Sequence, residues 1–207
     1  MFQLLREKHD FIYLAIGAQK GKELHIEGEN LPNVFDQLTF LSDVLRNKTP
    51  DLGKLIAVIG GGNSAMDAAR TAKRLAGKEG NVTVIYRRTK KEMPADKDEI
   101  EALIEENISL IELTAPEKIV RSDNKLQLFC SKMELSSKDS SGRPRPVKIP
   151  GSEFFMEFDS IITAIGQDTI LDFLHDNNLT IDWKTYETNY ENMFAGGDAV
   201  RGADSLI

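Results

Sequence analysis

Cysteine is almost missing from this 207-residue chain, with Cys130 standing alone. An internal disulfide is therefore excluded, which fits a reducing compartment. No stretch approaches 18 consecutive apolar residues, and the opening MFQLLREKHD lacks the long apolar core of a secretory signal. A cytoplasmic location is expected, with no membrane partner. Positive charge is also short. Lysine and arginine number 26 against 33 acidic residues, a formal charge of −7. That balance argues against nucleic acid or an anionic membrane as the main partner, although a local basic pocket is still allowed. The three histidines, His9, His25 and His175, lie far apart without ligand spacing, so a metal site has no support. No Ser/His/Asp arrangement can be argued from spacing either.

What is present suits one good core with room for a second partial lobe: 41% of residues are hydrophobic and 29% charged. DFIYLAIG (10–17) reads as a short buried strand, and VFDQLTFLSDVL (34–45) has helical spacing. KLIAVIG (54–60) is a buried strand with a helix directly behind its glycines. On that helix Ala65, Ala68, Ala69, Ala72, Leu75 and Ala76 share one face, while Arg70, Lys73 and Arg74 point away. NVTVIYRR (81–88) is a third strand. In DKDEIEALIEEN, Asp96 and Glu99 are spaced as a capping box ahead of a helix.

Alternating strands and helices imply a Rossmann-like α/β fold with a parallel sheet. SLIELTAPEKIV, KLQLFCSKMEL and RPVKI follow as strands in succession, an antiparallel β appendage. DSIITAIG (159–166) returns to the buried-strand pattern. A short helix around ILDFLHDN and a last apolar strand in NMFAGGDAV complete the chain. Cys130 shares strand parity with Leu126 and Leu128, which reads as a core thiol rather than a redox nucleophile.

LIAVIGGGNSAMDAA carries the chemistry. Gly60, Gly62 and Ala65 match GxGxxA directly after a strand and at the start of a helix, the context in which that pattern means dinucleotide binding. The first glycine lets the chain turn sharply. The second lets backbone N–H groups approach a pyrophosphate, and the third small residue lets the helix sit against the sheet. The positive end of the helix then faces the phosphates. At the tip of the next strand an NAD-binding fold usually has a carboxylate, but this chain has Tyr86, Arg87 and Arg88, then Thr89, Lys90 and Lys91. Guanidinium groups there suit a 2′-phosphate, so NADPH is expected over NADH. They also count against a methyltransferase. Met93, Pro94 and Ala95 come next, either bordering the adenosine end or forming a plain loop.

IGGGNSAMDAARTAKRL, VTVIYRRTKKEMPADKDEIEAL, IITAIGQ and FAGGDAVRGADSLI together resemble the NADPH-dependent FAD oxidoreductase family that includes the small subunit of glutamate synthase. That resemblance implies a two-dinucleotide-binding-domain flavoprotein, with the NADPH domain inserted into an FAD domain. By it, residues 1–17 are a strand remnant of the FAD domain, 18–53 a connection, 54–166 the NADPH-binding domain and 167–207 the return into the FAD domain. Gly60, Gly61, Gly62, Asn63, Ser64 and Ala65 would line the pyrophosphate, and Arg87 with Arg88 would take the 2′-phosphate. Ala164, Ile165 and Gly166, like the other AIG at 15–17, would mark a crossing between domains. Gly197 and Asp198 would belong to the FAD site.

No side chain is expected to act as a catalytic acid. FAD is implied for a full-length parent but not for these residues alone, which have a single GxGxxA and no FAD fingerprint near the start. The implied partners are the remaining FAD-domain segments and an iron–sulfur or other electron-acceptor subunit. Apolar surface around Phe11 and Tyr13 suggests self-association of the chain. The expected function is NADPH binding for hydride transfer to FAD, with a non-catalytic nucleotide-binding or interaction module of the same fold as the alternative.

Overall fold

The computed structural model describes residues 2–139, 142–174 and 178–202. Two compact units divide the chain, one formed by Gly21–Ile165 and the other by Met1–Lys20 with Gly166–Ile207.

Within Gly21–Ile165 the elements run β1 (Val34–Asp36), α1 (Gln37–Leu45), β2 (Leu55–Gly60), α2 (Asn63–Ala76), β3 (Asn81–Ile85), α3 (Lys97–Glu105) and β4 (Ser109–Ile111). Four strands follow, β5 (Thr114–Ser122), β6 (Lys125–Lys138), β7 (Pro144–Lys148) and β8 (Phe154–Phe158), before β9 (Ser160–Ala164). An all-parallel sheet has the order β1-β9-β2-β3-β4, while β5 to β8 form an antiparallel sheet of order β8-β6-β5 with β7 paired to β6.

Strand parity explains the layers. On β2, Ile56 and Val58 face a core shared with Ala65, Ala68, Ala69 and Ala72 of α2 and with Phe40, Ile100 and Leu103 of the other helices. Ala57 and Ile59 face the opposite way, into a core with Ile119, Leu126, Leu128, Cys130 and Phe158 of the antiparallel sheet. A strand covered on both faces must be apolar at every position, which is why LIAVIG shows no alternation. Ala65, Ala68, Ala69 and Ala72 of α2 are fully buried, so this helix lies close against the sheet, but near its far end Ala76 is only partly buried and Leu75 is 38% exposed. Arg70 does not point idly into solvent. Its guanidinium bonds Glu99 and Glu106 at 2.7 Å each, tying α2 to α3.

Several expectations need correction. Segment 18–53 is not a mere connection, because β1 pairs with β9 inside the sheet and α1 packs over it. The helix expected over 34–45 starts only at Gln37, where Asp36 caps it by accepting from the N–H groups of Leu38 and Thr39 at 3.1 and 3.2 Å. SLIELTAPEKIV is split. Ser109–Ile111 extends the parallel sheet, and the chain turns at Leu113 (φ 50°) before the antiparallel sheet begins. The strand Phe154–Phe158 was not anticipated. Asp96 does stand at the N-cap of α3, but without a side-chain cap bond, since its carboxylate accepts from Asn63 and Glu99 accepts from Arg70 instead.

In the other unit, Ile12–Leu14 pairs in parallel with Met193–Ala195, with Ile12 opposite Met193 and Leu14 opposite Ala195. Leu14, Leu174, Met193 and Ala195 form its buried core. A Cβ on Gly196 would stand 2.0 Å from the Tyr13 hydroxyl, so a larger residue there would turn this exposed side chain aside. Phe11 and Tyr13 remain 67% and 62% exposed. Residues 170–174 form a turn rather than a helix. His175 and the rest of the ILDFLHDN segment, and the closing ADSLI, lie outside the described residues.

Candidate nucleotide-binding site

The carboxyl edge of the parallel sheet gathers the sequence-predicted residues. β2 lies between β9 and β3, and the connection after β2 leads through α2 to β3, whereas β9 arrives from the antiparallel excursion. The strand order therefore reverses between β2 and β9, the place where open α/β sheets bind ligands. Gly60 ends β2 directly opposite Ala164 of β9.

Three successive glycines follow three different requirements. Gly60 has φ 152°, and a Cβ there would lie 2.1 Å from the Ala164 carbonyl oxygen. At Gly61 a Cβ would stand 2.5 Å from the ring of Tyr86, itself buried and anchored by a 2.9 Å hydrogen bond from its hydroxyl to the Glu92 carbonyl. Gly62 is different. Its φ of −94° is open to any residue, and the nearest atom to a Cβ would be Pro94 Cγ at 3.8 Å. The protein excludes side chains at 60 and 61, whereas a Cβ at 62 would make only an ordinary van der Waals contact.

Gly62 is also the N-cap of α2 and offers no side-chain cap. The first intrahelical bonds run from Ala65 and Met66 to the Gly62 carbonyl, at 2.9 and 3.2 Å. The N–H groups of Asn63 and Ser64 precede them in the helix. No acidic residue stands in the first turn to oppose an anion. The Asn63 side chain is engaged sideways. Its amide donates to Asp96 Oδ2 at 3.0 Å, and its carbonyl accepts from the Asp96 N–H at 2.8 Å. Among the residues expected to line a pyrophosphate, Asn63 thus offers its backbone and not its side chain.

At the tip of β3 the two arginines part company. Arg87 is exposed. Arg88 is buried, its guanidinium bonded to the Pro144 carbonyl at 2.8 Å and to Asp139 at 2.6 Å. Of the two arginines expected at a 2′-phosphate, Arg88 fastens the antiparallel sheet to the strand tip, and Arg87 alone of the pair is exposed. The loop beyond is well held. Glu92 accepts from the Thr89 N–H and hydroxyl, and the Lys90 N–H donates to Glu112. Lys90 and Lys91 are exposed, and Met93 and Ala95 are buried. The Ala95 N–H donates to the Gly61 carbonyl at 3.1 Å, so this loop is bonded to the glycine turn.

Ile165 is 39% exposed, and the chain leaves this unit between it and Gly166. Gly197 and Asp198 belong to the other unit, where Gly197, at φ 65°, precedes a four-residue helix. Reading by sequence missed Asp96 as a partner of the glycine turn, because the DxxE spacing pointed to a cap. It also passed over Glu23, His25 and Glu29, whose ligand atoms lie within 4.8 Å of one another. Contacts inside that group account for it without a metal, since the His25 N–H donates to Glu29 at 2.9 Å. Cys130 is buried as expected, and burial pushes its thiol up to about 12, against the opposing pull of Lys132.

A parallel sheet with an uncapped, glycine-led helix at its switch point and an arginine on the neighbouring strand tip defines a dinucleotide-binding α/β protein. The chain belongs to the pyridine nucleotide-disulphide oxidoreductase family, whose model matches residues 6–206. It is 35% identical to the NADPH-Fe(3+) oxidoreductase subunit beta of Geobacter sulfurreducens, over 98% of this chain and 35% of that protein. It is 31% identical to the glutamate synthase [NADPH] small chain of Azospirillum brasilense, over 98% of this chain and 46% of that one. The chain thus spans less than half the length of these relatives. Its fold matches Mycobacterium tuberculosis FprA, solved in complex with NADPH, with a TM-score of 0.82 at 18% identity, covering all of this chain and 62% of that one. The resemblance to glutamate synthase small subunits and the Rossmann-like fold with an antiparallel addition are both as expected. Among the described residues no helix is long and apolar enough to cross a membrane.

Proposed function

We propose that this chain is the NADPH-binding part of a flavin-dependent oxidoreductase. The observation that carries this reading is the glycine-led start of α2 at the switch point of the parallel sheet, where no side chain caps the first N–H groups. NADPH, when bound, supplies a hydride, and the reading has FAD of the whole protein as its acceptor. The residues present fit the nucleotide. The N–H groups at Gly62, Asn63 and Ser64 hold the pyrophosphate, helped by the positive end of α2. Arg87 donates to the 2′-phosphate, and Lys90 and Lys91 add positive charge nearby. Ala164 and Ile165 border the switch point where the rest of the dinucleotide lies.

The Gly21–Ile165 unit is read as the NADPH domain and the other unit, with Gly197 and Asp198, as part of an FAD domain. Electrons then pass to an acceptor subunit in the cytoplasm. Support comes from the relatives, whose names specify NADPH and subunits of larger assemblies. The 207 residues cannot run dithiol chemistry themselves, because their single thiol is buried and held protonated.

Calorimetric titration of the 207-residue chain tests the reading. Saturable NADPH binding, with NADH at least about tenfold weaker, is the expected result, since one lost charge-assisted bond is worth that much. Equal affinities, or no binding, would overturn it.

A further inference from the structure

A helix that receives a phosphate cannot be capped in the ordinary way. A Ser, Asp or Asn at the N-cap would stabilise the first turn slightly more than glycine does, but its side-chain oxygen would occupy the N–H groups the phosphate needs. Gly62 leaves those groups free and gives up the cap. The first turn of α2 gains support that does not cover its donors from the segment around Asp96. Asp96 and Asn63 bond each other reciprocally, at 2.8 and 3.0 Å, and the Ala95 N–H holds the Gly61 carbonyl at 3.1 Å. Buried Met93 and Ala95 fix this segment in the core, so it is a firm anchor.

We propose that Asp96 is a positioning residue for the nucleotide: by holding the Asn63 side chain it fixes the first turn of α2 with its N–H groups aimed at the pyrophosphate. Asp96 touches Asn63 and not the ligand, so its effect is on both dinucleotides alike, because NADPH and NADH share the pyrophosphate. Arg87 acts at the far end and separates the two. The hydrogen bond from Asn63 needs an acceptor oxygen at position 96 and not a negative charge.

This inference rests on the proposed NADPH site, and the experiment keeps the two apart. NADPH and NADH dissociation constants are measured for the 207-residue chain and for D96A, D96N, N63A and D96A/N63A, with R87A as the control for the other end. N63A should weaken both nucleotides about tenfold, D96A should weaken both by no more than N63A because the Asp96 backbone N–H still reaches Asn63, the double variant should add nothing to N63A, and D96N should stay within about twofold of the parent. The NADPH-to-NADH ratio should be unchanged in all four and collapse only in R87A. Parent-like binding by D96A and N63A, damage in D96N equal to that in D96A, a loss confined to NADPH, or additive losses would each overturn the inference while leaving the NADPH site standing. No nucleotide binding by the parent would remove both. Should D96A fail to fold, N63A and D96N carry the same expectations.

Discussion

At the scale of single residues, neighbouring positions of one type have opposite duties. Arg87 and Arg88 read alike in sequence, yet one is exposed and the other lies in a hydrogen-bonded pair with Asp139. Arg87→Ala should lower NADPH affinity by about 10- to 100-fold, the range for a hydrogen bond to a charged group, and leave thermal stability unchanged. Arg88→Ala should do the reverse in kind. It leaves Asp139 without this guanidinium and strips the Pro144 carbonyl of its donor, a loss toward the lower end of roughly 3–5 kcal/mol because Asp139 is partly solvated. Denaturation midpoints alongside titration calorimetry separate the two, and equal behaviour of the variants would refute the division.

The glycines divide in the same way. Gly60→Ala should destabilise the fold strongly, with a Cβ 2.1 Å from a carbonyl oxygen, while Gly62→Ala should cost the fold less and weaken nucleotide binding. A Gly62→Ala protein that binds NADPH normally would show that glycine at 62 does not serve the nucleotide. The motif GxGxxA was legible in the sequence because it requires only spacing and context. The separation of Arg87 from Arg88 was not, because it is decided by Asp139 and Pro144, some 50 positions away along the chain.

Elements in this protein are joined at their ends by few, well-placed polar groups, and their boundaries were the least legible feature. Buried strands such as LIAVIG announce themselves by unbroken apolarity, whereas Val34–Asp36 is three residues long and merges into the helix pattern behind it. Asp159 shows how such ends are held. It stands between β8 and β9, and its carboxylate accepts from the N–H groups of Lys54 and Leu55 at 2.8 Å each and from Lys125 at 2.5 Å, stapling the start of β2 to β9 and β6. Partial burial pushes this carboxyl up, but the bond from Lys125 and the two backbone donors outweigh it and hold it below the ordinary aspartate value.

A carboxyl depressed in the folded state contributes stability that is full above its unfolded value, about 3.9, and is lost as pH falls through the folded one. Asp159→Asn should therefore be less stable than the parent at neutral pH, with the gap closing below about pH 4. Urea denaturation from pH 7 to pH 3 measures this, and a gap constant across the range would remove the staple from the account. Cys130 gives a parallel check on the packing of the two sheets. With its thiol held protonated up to about 12, it should resist a disulfide reagent at pH 8 in the native protein and react once on unfolding.

For the whole molecule, the sequence showed the alternation of strand and helix, and its two AIG segments, 15–17 and 164–166, lie at or close to the places where the chain passes between the units, after Lys20 and after Ile165. The resemblance makes DFIYLAIG and NMFAGGDAV neighbouring strands of the FAD-domain part, and they do pair in parallel, with Ile12 opposite Met193, and contribute to the core of the discontinuous unit. Gly21–Ile165, in contrast, is a continuous stretch, and its ends are held by its own sheet. A Cβ on Gly21 would lie 2.9 Å from Asp36 Oδ1, and Asp36 is the register partner of Thr163, two residues before Ile165. Both ends therefore sit at the carboxyl edge of β1 and β9, so cutting there severs no strand of the parallel sheet. Both hydrophobic cores that flank this sheet lie wholly within residues 21–165. A polypeptide of those residues alone should fold cooperatively, because a unit of this size with its own core satisfies what an independent domain requires. It should also bind NADPH within about threefold of the 207-residue chain, since the glycine turn, Asp96 and Arg87 all lie inside it. Circular dichroism melts and calorimetry on the excised polypeptide test this. A broad, non-cooperative transition, or binding lost in a polypeptide that melts normally, would mean that the other unit contributes to the fold or to the site.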